Sequence, residues 1–277
     1  MANSYQEEVR QGNRFEFGKN WARYLHKFDE SRLAKAICSL QESLEIEHLS
    51  GKSFLDIGSG SGLFSLAARK LGARVHSFDF DPHSVACTKS LKDQFYRDDP
   101  SWVVESGSAL DRQYLESCGR FDVVYSWGVL HHTGAMWAAL ENASTVVAPQ
   151  GKLVLAIYND QEGASRRWLY VKRAYNHSPQ WVRGSLLGAA FVKLWGKTLF
   201  RDLLLGNPLR TWNKYASQHE RGMSPWRDIV DWVGGYPFEV AKPEQVLEFY
   251  RKRGFLLVKL KTVCGGHGCN EYVFAKT

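Results

Sequence analysis

Residues 54–64 read FLDIGSGSGLF: an apolar run carrying one aspartate, Asp56, then three glycines at alternate positions, then a second apolar run. The run KSFLDI (52–57), closed by glycine, predicts a short buried strand, and SGLFSLAARKLG (61–72) predicts a helix that Gly72 closes. Glycines at such a junction let the backbone approach a ligand closely. The first turn of the helix adds N–H groups that have no intrahelical partner. A strand–turn–helix wrapped around a bound molecule is the expectation.

The same alternation extends in both directions. RVHSFD (74–79) predicts a strand, and a helix follows from Pro82, where a missing N–H costs nothing. SWVVES (101–106) and FDVVYSW (121–127) predict two more strands. A helix over 134–147 then leads into GKLVLAIYN (151–159). Upstream, Leu33, Ile37, Leu40 and Leu44 place one apolar stripe on a helix over 30–45. Strands alternating with helices predict parallel βαβ units and a doubly wound α/β sheet.

Downstream the rhythm breaks over 160–238 and resumes with a helix, PEQVLEFYRKRG (243–254), and a strand, FLLVKLKTV (255–263). CGGHG (264–268) joins that strand to a last one, NEYVFAK (270–276). So short a connection makes the final pair antiparallel, because a parallel pair needs a crossover of about a dozen residues or more. Four stretches are expected: an N-terminal helical segment (1–50), a ligand-binding core (51–159), a helical cap insertion (160–238), and a last helix and two strands completing the core (239–277).

The chain's 277 residues suffice for one large domain with a cap. Its 44% hydrophobic and 23% charged content is ordinary for a soluble globular protein. A balance of 36 basic to 29 acidic residues, +7, suits an anionic small molecule, a nucleic acid or an anionic membrane surface without selecting one. Five scattered cysteines, an odd number, argue for a reducing compartment. The N-terminus lacks an apolar signal region, and no window of about 18 uncharged apolar residues exists for a transmembrane helix. The expected location is cytoplasmic.

The glycine spacing is Gly58-x-Gly60-x-Gly62, not the G-x-G-x-x-G of a dinucleotide site. The strand also ends on an acid. A carboxylate at Asp56 would repel a pyrophosphate but suits a ligand bearing an ammonium group, such as the methionine part of S-adenosylmethionine. A second acid, Asp79, ends the next strand, where a carboxylate holds ribose hydroxyls in either cofactor class. Phe80 beside it suits an adenine face, while Asp81 is better placed than Asp79 to cap the helix from Pro82.

Taken in order, LDIGSGSG, FDFDP, GSALD (107–111) and FDVVYSWGVLHH (121–132) resemble a class I S-adenosylmethionine-dependent methyltransferase. The nearest look is the ubiquinone-biosynthesis methyltransferase-like, "type 12" group. The resemblance covers about residues 50–158 and 240–276. It implies a seven-stranded Rossmann-like sheet with an antiparallel last strand. By the same resemblance Asp56, Gly58, Ser59 and Gly60 surround the methionine end, Asp79 binds the ribose, and Phe80 meets the adenine. Ser108 and Ala109 follow, with Ser108 standing where the family often has an acid, and Asp111 is a candidate replacement. Trp127 and Gly128 lie along the cofactor near the sulfonium.

His131 and His132 follow the fourth strand and are the candidates for a general base, since imidazole titrates near neutrality. Shaping the loop is the plainer alternative for them. Tyr158, Asn159 and Asp160 end the fifth strand at the ligand edge of the sheet and are substrate candidates, as is Trp21 in RFEFGKNW (14–21). CGGHGC (264–269) lacks the second ligand pair of a structural zinc site, so a turn and no metal are expected.

The insertion holds 12 basic residues against 6 acidic ones, together with six tryptophans. Lys193, Lys197 and Arg201 form one basic stripe on a helix that also carries Leu187, Phe191, Leu194 and Leu205. A lid over an anionic, sugar-bearing or aromatic small molecule is the preferred reading. A nucleic-acid surface or a membrane-surface helix are the others. The functional expectation is methyl transfer to O, N or S of a small metabolite, with S-adenosylhomocysteine as product. An RNA methyltransferase and a non-catalytic cofactor-binding regulator are the alternatives.

Overall fold

The structure, a computed structural model, describes residues 2–25, 30–218 and 224–277. Seven strands form one sheet: β1 (Ser53–Ile57), β2 (Arg74–Asp79), β3 (Trp102–Ser106), β4 (Phe121–Trp127), β5 (Val147–Tyr158), β6 (Phe255–Lys261) and β7 (Cys269–Lys276). Their order is β3-β2-β1-β4-β5-β7-β6. The first five run parallel, and β7 lies antiparallel to both neighbours. Strand order reverses between β1 and β4, which is where an open α/β sheet leaves a crevice at its carboxyl edge.

Alternation along β1 explains why its run is apolar on both faces. Phe54 packs with α3 (Glu30–Leu44) and α4 (Leu63–Lys70) through Leu40, Leu44 and Leu66. Leu55 and Ile57 pack on the other face with Leu140 of α7 (Met136–Thr145) and Tyr250 of α12 (Pro243–Arg251). All three β1 side chains are fully buried, as a strand covered on both faces requires.

Asp81 caps α5 (Pro82–Tyr96) by accepting the His83 N–H at 2.9 Å. Its other oxygen accepts the Gly18 N–H at 2.7 Å, so one carboxylate serves the starts of α5 and of α2 (Gly18–Leu25). The N-terminal segment, which begins with α1 (Ala2–Arg10), is thereby fixed to the carboxyl edge of the sheet.

Between β5 and α12 the described residues form four helices: α8 (Gly163–His177), α9 (Gln180–Leu204), α10 (Arg210–Gln218) and α11 (Pro225–Gly234). They gather around a separate apolar cluster that includes Trp168, Tyr175, Trp195, Ile229 and Val233. Leu205 falls just past α9 rather than within it. The helix stops because Gly206 takes a left-handed conformation, φ 74°. The short α6 (Arg112–Ser117) was not legible in the sequence, and β5 begins four residues before the expected Gly151. Among the described residues no helix is long and apolar enough to cross a membrane.

Candidate cofactor and acceptor cavity

The carboxyl ends of β1, β2 and β4 open into one cavity of about 760 Å³, roofed by the N-terminal segment and the cap. Ligand pockets generally span roughly 300–1,000 Å³. The turn after β1 runs through left-handed glycines, Gly58 at φ 78° and Gly60 at φ 55°. A Cβ on Gly58 would stand 2.4 Å from Val129, and one on Gly60 would stand 3.3 Å from the indole nitrogen of Trp21. Bare backbone is required here by conformation and by space.

Two buried carboxylates face the cavity. Burial lifts Asp56 to about 7, against the Ser65 hydroxyl, which donates to it at 2.5 Å, and the nearby Asp79 charge raises it further. Burial likewise lifts Asp79 to about 6, opposed by the backbone N–H groups of Asp81 and Gly60, each at 2.9 Å. Buried carboxylates so placed call for a ligand with positive charge or hydroxyl donors. The ammonium and ribose diol of S-adenosylmethionine fit that demand, and a pyrophosphate does not.

Phe80 lines the cavity with the Tyr5 ring edge-on at 5.6 Å and the Arg14 guanidinium 4.8 Å from its centroid. Ser59, Ser108, Ala109, Trp127 and Gly128 line it as well. Gly128 adopts φ 76°, and a Cβ there would meet nothing within 4 Å. Asp111 does not line the cavity. Its carboxylate caps α6 by accepting the Tyr114 N–H at 3.0 Å.

His132 and Tyr158 line the far end, while Trp21 lines the cavity beside the Gly60 turn. His132 Nδ1 lies 2.6 Å from the Pro237 carbonyl oxygen. A carbonyl only accepts, so Nδ1 carries the proton, and the lone pair of the neutral ring sits on Nε2. His131 does not reach the cavity. It is wholly buried, its ring centroid 3.9 Å from that of Tyr158 and tilted by 33°, and its Nδ1 accepts the Tyr158 N–H at 3.3 Å.

Asn159 and Asp160 also stay outside. Asn159 donates to the Gly266 carbonyl at 3.3 Å and accepts from Asn270 at 3.0 Å, pinning the CGGHG loop. Asp160 accepts the Glu162 N–H at 2.8 Å at the entrance to α8. The loop that Asn159 braces brings His267 to the cavity, and Cys269 at the start of β7 reaches it too, but Cys264 does not.

Sequence reasoning missed the polar residues the cap contributes. Asp228 and Asp231, three apart on α11, both line the cavity, and Asn20 donates to Asp231 at 2.5 Å. That spacing on one helix face was the available signal. Trp232 beside them rests on Lys172, which is fully buried and donates to the Trp232 carbonyl, its ammonium 4.4 Å from that ring. Burial pushes Lys172 down to about 7, with Asp231 opposing. None of Lys193, Lys197 and Arg201 lines the cavity, so among the described residues the cap's basic stripe does not face a ligand there.

This fold, with its carboxylate-lined crevice at the switch point, defines a class I S-adenosylmethionine-dependent methyltransferase. Residues 25–193 match the family model described as "Methyltransferase domain", and the chain belongs to that family. It is 31% identical over 148 residues to a ubiquinone biosynthesis O-methyltransferase of Methylobacterium sp. (strain 4-46), covering 50% of this chain and 55% of that protein. With the namesake enzyme of Rhodopseudomonas palustris (strain BisB18) identity is 26%, covering 71% of this chain and 66% of the relative. The chain thus spans between half and two thirds of these relatives' length. Among solved structures, the magnesium protoporphyrin IX methyltransferase of Synechocystis PCC 6803 superimposes with a TM-score of 0.52 at 12% identity, covering 88% of this chain and 82% of that one, a likeness of fold.

Proposed function

We propose that the protein transfers the methyl group of S-adenosylmethionine to an oxygen, nitrogen or sulfur of a small metabolite. The relatives' names favour oxygen. The observation that carries this reading is the single cavity shared by the strand-end carboxylates at one end and His132 with Tyr158 at the other. Bound there, S-adenosylmethionine supplies an electrophilic methyl on a sulfonium. Asp56 faces its ammonium group, Asp79 accepts from the ribose hydroxyls, and Phe80, Ser108 and Ala109 border the adenine. Gly128 leaves space beside Trp127 for the sulfonium.

The protein's main contribution is to align acceptor and methyl group, since holding two reactants in line removes much of the entropic cost of meeting. Where the acceptor must lose a proton, Nε2 of His132 takes it. His131 acts one layer back by holding Tyr158. Among the described residues, the cap's cavity lining carries Asp228 and Asp231 and no lysine, arginine or histidine. We therefore read the acceptor as neutral or cationic, offering hydroxyl or amine donors, with an aromatic or apolar part against Trp195 and Trp232. That lining also weighs against an RNA substrate, whose phosphates need cations. We place the reaction in the cytoplasm, in keeping with five free thiols.

The test is incubation of purified protein with labelled S-adenosylmethionine and fractionated metabolite pools, reading a mass gain of one methyl. Calorimetry should show S-adenosylhomocysteine binding and no NAD binding. NAD binding without a response to S-adenosylhomocysteine overturns the reading.

A further inference from the structure

Outside the cavity, the β3 edge of the sheet gathers three metal-binding side chains of different chemistry. His76 on β2, Glu105 near the end of β3 and Cys118 just past α6 meet on the side of the sheet that α6 covers. One imidazole nitrogen, one carboxylate oxygen and one sulfur lie within 4.8 Å of one another. His76 Nε2 is 2.8 Å from Glu105 Oε1. All three residues are partly buried, and the Glu105 side chain is 42% exposed, so the group is open to solvent on one side. None of them lines the cavity. Their spacing in sequence matches no zinc motif, and only the fold brings them together.

The group is already braced from outside. The Tyr114 hydroxyl donates to the same Glu105 oxygen at 2.7 Å. Its ring meets Phe78 edge-on at 5.2 Å and lies so close over Gly107 that a Cβ there would stand 2.4 Å from it. The Cys118 thiol donates to the Tyr114 carbonyl at 3.3 Å. A carboxylate held by an outer hydroxyl is how metal ligands are commonly oriented. Zinc bonds of about 2.0–2.3 Å set tetrahedral donors roughly 3.3–3.6 Å apart. Reaching that spacing from at most 4.8 Å is a matter of side-chain rotation.

We propose that His76, Glu105 and Cys118 bind one zinc ion, with water completing the coordination on the open side. The donor set decides the metal. Thiolate and imidazole suit zinc, whereas magnesium and calcium take oxygen ligands. On binding, the Cys118 thiol gives its proton to water, and His76 presents an unprotonated Nε2 with its remaining proton on Nδ1. The ion ties β2, β3 and α6 together behind the loop over 107–111, whose Gly107, Ser108, Ala109 and Leu110 line the cavity. Given the cofactor placement proposed above, on which this consequence rests, zinc steadies the adenine side of the site without touching the ligand.

The test uses the full chain stripped of metal by a chelator. Cobalt, a spectroscopic stand-in for zinc, should bind one equivalent and show a thiolate-to-cobalt band. Cys118→Ser should remove that band, and replacing the exposed Cys264 by Ser should keep it. Zinc should raise the melting temperature of the wild type but not of Cys118→Ser or His76→Gln, and magnesium should raise neither. Tyr114→Phe keeps the ring and loses the hydroxyl, and should weaken zinc about tenfold or more in competition with a chromogenic chelator. Calorimetry should show S-adenosylhomocysteine binding severalfold more tightly to the zinc-loaded than to the stripped wild type, with no such difference in Cys118→Ser. The cobalt band and the zinc shift need no cofactor, so they fail separately from the methyltransferase reading. Absence of both overturns the site and leaves a plain His76–Glu105 hydrogen bond. A band lost in Cys264→Ser instead assigns the ion to a surface thiol and equally overturns it. Zinc binding that leaves S-adenosylhomocysteine affinity unchanged overturns the brace behind the adenine-side loop.

Discussion

The two ends of the cavity are built differently. At the β1–β2 end, backbone fixes the polar groups: both oxygens of Asp79 accept main-chain N–H groups, and the glycine turn presents no side chain at all. At the cap end, each functional group is held by a partner from a distant segment. Asn20 holds Asp231, the Pro237 carbonyl holds His132, and buried Lys172 holds Trp232. Strand-end geometry suits a ligand of one fixed shape, here the cofactor. Helix-borne side chains can be exchanged without disturbing a sheet, which suits the part of the site that chooses an acceptor.

The division breaks most visibly at His132, where the expected effect is largest. His132→Ala should lower turnover by roughly 10² to 10⁴, about 3–5 kcal/mol in the barrier, with S-adenosylhomocysteine affinity unchanged. His131→Ala should instead show first as lost thermal stability, since it empties a buried site under Tyr158. Steady-state turnover and melting curves of the two variants check this. Near-normal turnover in His132→Ala leaves alignment as the sole catalytic device.

Stability against pH separates the ends by opposite slopes, a few kcal/mol each at about 1.36 kcal/mol per unit. Asp56 and Asp79 sit above their ordinary 3.8, at about 7 and about 6. The folded state therefore holds protons the unfolded state has lost, and stability falls as pH rises from about 4 to about 7. Lys172 sits below its ordinary 10.5, at about 7. Its contribution is present above 10.5 and lost as pH falls through 7. Denaturant titrations across pH should show Asp56→Asn flattening only the acid limb and Lys172→Met only the alkaline one. One variant altering both limbs would show that the two ends are coupled.

Losing Asp79 should be smaller. Asp79→Ala is expected to weaken S-adenosylhomocysteine by about 1.5–3 kcal/mol, the usual range for a hydrogen bond to a charged group, read by calorimetry. Asp228→Ala should leave that affinity unchanged, because its carboxylate stands on α11 at the acceptor end. Equal losses in both would erase the distinction between the ends.

Legibility followed the same line. The β1 run, its glycines and the acids at 56 and 79 were readable because local sequence dictates them: a buried strand must be apolar, and a left-handed turn must be glycine. The antiparallel last strand followed from loop length alone. Asp228 and Asp231 were readable only as sharing one helix face, since their place at the cavity depends on how α11 packs over a sheet 70 residues earlier in the chain. Asp111 misled for a related reason. An acid near a strand end fits a helix cap as well as a ligand, and Tyr114 three residues on decides for the cap. His131 and His132 are neighbours in sequence and both are buried, yet only His132 lines the cavity, a difference set by the turn that follows β4.

The smallest expected effect asks whether the N-terminal segment and the cap close as one roof. Asn20 on α2 and Asp231 on α11 are 211 positions apart and share one hydrogen bond, while Gly18 ties the same segment to Asp81 on the sheet edge. If α2 latches the cap, Asn20→Ala removes the latch while the Gly18 tie still holds the segment in place. One partly exposed hydrogen bond contributes about 1 kcal/mol, so S-adenosylhomocysteine should dissociate about fivefold faster. Association should change little, because the strand-end carboxylates that meet the ligand stay where they are. Stopped-flow fluorescence can follow this, since Trp21, Trp195 and Trp232 all line the cavity. An unchanged dissociation rate would mean that the cap closes on its own packing against β5 and that the N-terminal segment covers the cofactor independently.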